Sequence, residues 1–200
     1  MRSLTLALTL TVLVSSCFYR TRYATKEELV QYILNPENNL IKTEQRNGFD
    51  VQVLYRPNDL IAEQMTVAGT QPEWDSLSQA LSPYRYFIVK LSKDNRELET
   101  HAASSPELHL KLIEYLNGGI AQDFTAIAGK DTLEVDQVVY TPFFGSANQT
   151  SFMLVFNTSD SKPSAIALIY NDSFFGLGRF EFEFEHTDLN RIPRLTLNSI

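Results

Sequence analysis

Few residues in this 200-residue chain carry chemistry of their own: one cysteine, three histidines and one dense run of acids. Cys17 is the sole thiol. His101, His109 and His186 show no HExxH or other paired spacing that would bring two imidazoles to one metal. His109 falls at the edge of a helical apolar stripe and reads as a packing residue, whereas His101 falls in a polar loop. Glu181, Glu183, Glu185, His186 and Asp188 form the densest acidic group. Oxygen ligands suit Ca2+, so this is where a metal or hydrolytic site is sought first. Alternate residues of a strand lie about 6.6 Å apart. Three glutamates on one strand are therefore too spread to grip one ion unaided, and a solvated sheet face explains them more simply. No catalytic, cofactor or metal residue is assigned from the sequence.

Cys17 has a context that the histidines lack. Arg2 supplies a positive start, residues 4–14 (LTLALTLTVLV) are apolar or small, and Ser15-Ser16 lead into the cysteine. An apolar run of eleven residues suits an export signal; a spanning helix needs about 20. The segment Leu13-Val14-Ser15-Ser16-Cys17 resembles a bacterial lipobox, with Val14 in place of the more usual leucine. The resemblance implies cleavage before Cys17, a diacylglycerol on its thiol and an acyl chain on the new amino terminus. One acyl chain gives only marginal membrane binding, and three make release negligible.

Composition narrows the rest. Charged residues make up 20% of the chain and hydrophobic residues 44%, ordinary values for one globular domain. The formal net charge of −7 becomes −8 once Arg2 leaves with the signal. An acidic surface argues against nucleic acid, whose phosphates need Lys and Arg. It also argues against lying flat on anionic lipid. With Cys17 acylated, no thiol remains for a disulfide or a cysteine nucleophile.

Local signals divide residues 25–200 into helices and strands. Thr25 and Glu28 fit a capping box, with Leu29, Val30, Ile33 and Leu34 on one face until Asn35-Pro36. Leu40–Arg46 and Phe49–Tyr55 flank Asn47-Gly48, a type I′ hairpin signal. Pro57 can open a helix to about Met65, residues 72–81 suggest another, and Ser105-Pro106-Glu107 starts a third that carries Leu108, Leu112 and Leu116. Strands are expected at Tyr86–Leu91, Phe124–Ala128, Thr132–Tyr140, Ser151–Asn157, Ala165–Tyr170 and Arg179–His186. In the last, Phe180, Phe182 and Phe184 alternate with Glu181, Glu183 and Glu185, which gives one dry and one wet face. Short turns between successive strands imply antiparallel pairing.

Other short patterns have structural readings. Gly176-Leu177-Gly178 lacks the third glycine and the helix of a dinucleotide fingerprint and reads as a bend. Ser104-Ser105 reads as a helix cap, since no Gly-x-Ser-x-Gly elbow surrounds it. Asn148 and Asn157 begin sequon-like triplets. Phe143, Phe144, Phe174 and Phe175 sit in or beside loops, where they would form either an exposed patch or core.

The blocks LNPENNLIKTEQ, VQVLYRPNDLIA, YFIVKLS, GKDTLEVDQVVY, SFMLVFN and FFGLGRFEFEFEHTDLNRIPRLTL run in order over residues 34–197. In that order they resemble a family of uncharacterised lipoproteins of Bacteroidota. The resemblance implies a compact lipidated envelope domain and no particular activity.

The resulting expectation is an α+β single domain, an antiparallel β-sheet with a few packed helices. Residues 1–16 form the signal, 17–24 a lipidated tether and 25–200 the globular part. The protein is expected to be a non-enzymatic binding or adaptor protein, held to the outer membrane through the N-terminal lipid and needing no cofactor. Its partners would be the membrane and another envelope protein, not nucleic acid. Phe18-Tyr19-Arg20 differ from the acidic run of a surface-export signal, which favours the periplasmic side. The alternative is an envelope hydrolase or metal-binding protein using the Glu181–Asp188 cluster.

Overall fold

Two signals early in the chain fold as their residue types dictate. The computed structural model describes residues 22–67, 70–143, 146–159 and 165–196. Helix α1 (Lys26–Leu34) begins at Thr25, whose hydroxyl accepts the Glu28 N–H while the Glu28 carboxylate accepts the Thr25 N–H at 2.9 Å. The capping box thus satisfies two otherwise orphaned donors. Leu29 and Ile33 are buried, but Val30 and Leu34 are exposed, because this nine-residue helix meets the core along a single i, i+4 ridge. Next, β2 (Ile41–Arg46) and β3 (Phe49–Arg56) pair antiparallel around Asn47 and Gly48. Both turn residues have positive φ, 53° and 79°, as a type I′ turn requires.

The remaining elements, in chain order, are α2 (Asn58–Met65), α3 (Gln71–Leu81), β4 (Tyr84–Lys93), α4 (Leu98–Ala102), α5 (Pro106–Asn117), β5 (Phe124–Ala128), β6 (Asp131–Glu134), β7 (Gln137–Tyr140), β8 (Thr150–Asn157), β9 (Ile166–Asp172), β10 (Gly178–Phe184), α6 (His186–Asn190) and β11 (Arg194–Leu195). A two-residue strand, β1 (Tyr23–Ala24), precedes α1 and pairs parallel with β11. Single 3-10 turns lie at Pro36–Asn38 and Gly119–Asp123. The chain is a single α+β domain with antiparallel sheets.

Those strands form two antiparallel sheets stacked face to face, one ordered β2-β3-β4-β8-β7 and the other β10-β9-β5-β6. Val51, Val53 and Tyr55 line the inner face of the first sheet beside Leu91, Val89 and Phe87. Phe180, Phe182 and Phe184 line the second beside Tyr170, Leu168 and Ile166. Rings from the two sheets meet directly: Phe184 is 5.3 Å from Phe87 and Phe124 is 6.0 Å from Phe152, between centroids. The period-two alternation of Phe and Glu has its dry side here, while Glu181, Glu183 and Glu185 face solvent. Helices α2 and α3 cover part of the outer face of the five-stranded sheet, where Ile61 and Leu81 pack on Tyr86 and Val155. Helices α4 and α5 pack together and lie against β4 and β7.

Three expectations change. The strand read as Thr132–Tyr140 is two strands in two sheets: β6 pairs with β5, and after Val135-Asp136 β7 pairs with β8. The Asp136 N–H, bonded to the Val155 carbonyl at 2.8 Å, marks the crossing. The strand read to His186 ends at Phe184, and His186 opens α6. Tyr23 and Ala24, read as the end of a tether, already belong to the fold through β11.

Candidate functional site

A cleft of about 580 Å³ lies where α2, α3 and β4 meet the C-terminal segment. It exists because three buried or half-buried groups hold these elements at fixed spacing. Asp59, on the first turn of α2, is 4% exposed. Its carboxylate accepts the Leu195 N–H at 2.9 Å and stands 3.3 Å from Arg194 Nε. That carboxylate latches β11 to α2, and β11 then pairs with β1 through Arg194 N–H to Arg22 O at 2.8 Å and Thr196 N–H to Ala24 O at 2.9 Å. Asn58 donates to the Leu81 carbonyl at 2.5 Å and ties α2 to the end of α3. Arg85 on β4 donates through one terminal nitrogen to the Ser82 and Tyr84 carbonyls, at 3.0 and 2.9 Å.

Side chains of both characters face this space. Trp74, Tyr55 and Ile192 supply ring and aliphatic surface; Arg85, Arg194, Asp59 and Asp75 supply charge. Burial pushes the Tyr55 phenol up from its ordinary value; Arg85 opposes that shift and Asp59 reinforces it. Tyr55 is therefore a hydrogen-bond donor at neutral pH. The indole N–H of Trp74 is buried without a hydrogen-bond acceptor. A second cleft of about 540 Å³ shares Trp74, Asp75 and Arg194 with the first and continues to Tyr23.

An apolar pocket of about 180 Å³ opens elsewhere, between α4, α5 and the loop after β9, with Phe49, Leu98, Leu112, Phe174 and Phe175 in its wall. Asp172 builds that loop. Its carboxylate accepts the N–H groups of Phe174, Phe175 and Leu177 and the Tyr170 hydroxyl. Gly176 and Gly178 there have positive φ, in agreement with a bend and not a nucleotide loop. Phe174 stacks on Tyr115 at 4.6 Å and Phe175 tilts against Phe49 at 5.2 Å. These two phenylalanines are packing residues. Phe143 is exposed, and Phe144 lies outside the described residues. The four do not form one described patch.

The acidic run is not gathered into a site. Glu181 pairs with Arg179 at 2.9 Å on the outer face of the edge strand β10. Glu183 and Glu185 border a shallow groove beside Ile127 and Ala167. Asp188 sits on α6, where Asn39 donates to it at 3.1 Å. Among the described residues no three His, Cys, Asp or Glu side chains are placed to hold a metal ion. The histidines are separate too. His101, on α4 and not in a loop, contacts the Lys93 carbonyl at 2.7 Å, and His186 contacts Asn190. His109 is half-buried on α5, its Nδ1 without a partner. Ser105 caps α5. Asn157 accepts from the Ser159 N–H and hydroxyl, a local turn. Cys17 lies outside the described residues.

Two buried polar clusters had no sequence signal. Tyr115 donates to Asp123 at 2.6 Å, and the same carboxylate accepts the Ser173 N–H at 2.9 Å. Glu99 accepts the Tyr140 hydroxyl at 2.5 Å and the Thr150 hydroxyl, and Thr150 accepts the Leu98 N–H. Each joins residues more than forty positions apart on at least one contact, which no local spacing reveals. Burial is the main cause raising the Tyr115, Tyr140 and Tyr170 phenols.

No protein-family model, curated protein or solved structure matches the chain. Its class is therefore defined by its own fold: an α+β domain with two stacked antiparallel sheets, in which the first and last described strands pair with each other.

Proposed function

We propose that this chain is a lipid-anchored protein of the cell envelope, held on the periplasmic side of the outer membrane. We further propose that it works as a non-enzymatic binding or adaptor protein. Cys17 carries the reading. It is the sole cysteine, and it stands at the end of an eleven-residue apolar run, directly after two small residues. Binding is supported by the ring-and-charge lining of the cleft at Trp74, since pockets that hold ligands combine apolar walls with a few placed polar groups. The resemblance to envelope lipoproteins of Bacteroidota supports the lipid anchor and bears on no particular activity.

Anchoring also orients the domain. Arg22 follows Cys17 by five positions, and an extended chain spans at most about 3.6 Å per residue. The β1–β11 edge would then stand within roughly 20 Å of the lipid surface. Metabolic labelling with an alkyne fatty acid tests the anchor. The wild-type chain should be labelled and recovered with membranes, and Cys17→Ser should lose both. Equal labelling of the two would refute the reading.

A further inference from the structure

We propose that the pocket between α4, α5 and the loop after β9 binds a small apolar acid, a single ring or short alkyl chain that carries one carboxylate. Lys93 carries the inference. Alternate residues of a strand share a face, so the inward row of β4 runs Phe87, Val89, Leu91 and then Lys93. The first three are fully buried. Lys93 pairs in register with Phe49, the inward residue beside it on β3. An ammonium thus stands where the pattern calls for an apolar side chain, and it lines an apolar pocket of about 180 Å³. Its Nζ lies 5.1 Å from the Phe49 ring centroid. Among the described residues no carboxylate forms an ion pair with it.

The rest of the wall fits a tail and offers no counter-charge. Leu98, Leu112, Phe174 and Phe175 are apolar, and no Asp or Glu side chain lines the pocket. His101 adds one polar ring. Its Nε2 faces the Lys93 carbonyl at 2.7 Å; a carbonyl only accepts, so Nε2 carries the proton and the ring is held beside the lysine. The loop is already built, because Asp172 accepts the N–H groups of Phe174, Phe175 and Leu177, and a preformed wall costs a guest little ordering. Size limits that guest. A dry cavity of about 150 Å³ takes one benzene, so this pocket suits one ring or a chain of about six carbons. Beside a single cation in an apolar wall, the guest that leaves no buried charge unpaired is a monoanion, and a carboxylate is such a head at neutral pH. This site goes beyond the binding role proposed above and uses neither the anchor nor the cleft at Trp74.

The full chain in an uncharged detergent is titrated with benzoate and, separately, with hexanoate, and saturation-transfer NMR against detergent alone gives each dissociation constant. Saturable binding is expected for at least one acid, which assigns the tail as ring or chain. The matching alcohol, benzyl alcohol or hexanol, keeps the tail and lacks the charge. It should bind about tenfold more weakly or worse, on the scale of one charged hydrogen bond. Lys93→Met keeps an apolar stem on the inward row and should bring the acid down to the level of the alcohol, which still binds. If Lys93→Met melts early, Leu108→Asp at a rim residue that is 44% exposed should weaken the acid severalfold by repulsion and leave the alcohol unchanged. No saturable binding of either acid overturns the proposal, as does equal binding of acid and alcohol, or acid binding that survives both substitutions. Cys17→Ser protein should bind the acid as wild type does, so the anchor and this site fail separately.

Discussion

Tyr115 and Tyr170 show what single residues contribute. Their hydroxyls lie 3.5 Å apart, Tyr115 donating to Asp123 and Tyr170 to Asp172. Burial raises both phenols, whereas an unfolded tyrosine titrates at about pH 10. Below that pH both states hold their protons, and the contribution to stability is fully present. Above it the unfolded chain releases protons that the folded chain keeps. Stability should therefore fall with rising alkaline pH by up to about 1.4 kcal/mol per pH unit for each tyrosine. Urea denaturation at about pH 9 and about pH 11 should show a shallower decline for Tyr115→Phe than for wild type. Equal slopes would mean that the phenol is not protected. This cluster was illegible in the sequence because Asp123, Ser173 and Tyr115 come from three segments that only the folded chain brings together. The expectation at Cys17 was drawn instead from a contiguous pattern, residues 2–17.

At the scale of elements, local chemistry decided what could be read. Thr25 with Glu28, Asn47-Gly48 and Ser105-Pro106 each act on neighbouring backbone, and each formed the element its type favours. The division of residues 131–140 between two sheets was not readable. No glycine or proline interrupts that stretch, and only Asp136-Gln137 separates Leu133 and Val135 from Val138 and Val139. The choice of β8 over β5 as partner for β7 is a long-range one. Two comparisons test the elements. Phe182→Ala removes a ring buried between the sheets and should cost about 3–5 kcal/mol, while Glu183→Gln on the wet face should stay within about 0.5 kcal/mol. Chemical denaturation that ranked them the other way would show that Glu183 is a partnered carboxylate. Gly48 has φ of 79°, and a Cβ there would meet Asp94 Oδ1 at 3.1 Å. Gly48→Ala should lower stability by about 1–2 kcal/mol, read as a lower melting temperature, and an unchanged melt would contradict the turn geometry.

For the molecule as a whole, the pairing of its first and last described strands matters most. Asp59 joins α2 to β11, and β11 joins β1, so the chain enters the fold beside the Trp74 cleft. The α+β class was legible because helix caps and strand alternation are local. The stacking of two sheets and the closing β1–β11 pair were not, because they depend on which distant faces and edges meet. The most direct test of the central claim, the lipid anchor, is the intact mass of the native protein extracted from membranes. The expected result is a chain that begins at Cys17, with a diacylglycerol on its sulfur and an acyl chain on its amino group. A mature chain that begins elsewhere, or that retains an unmodified Cys17, would contradict it.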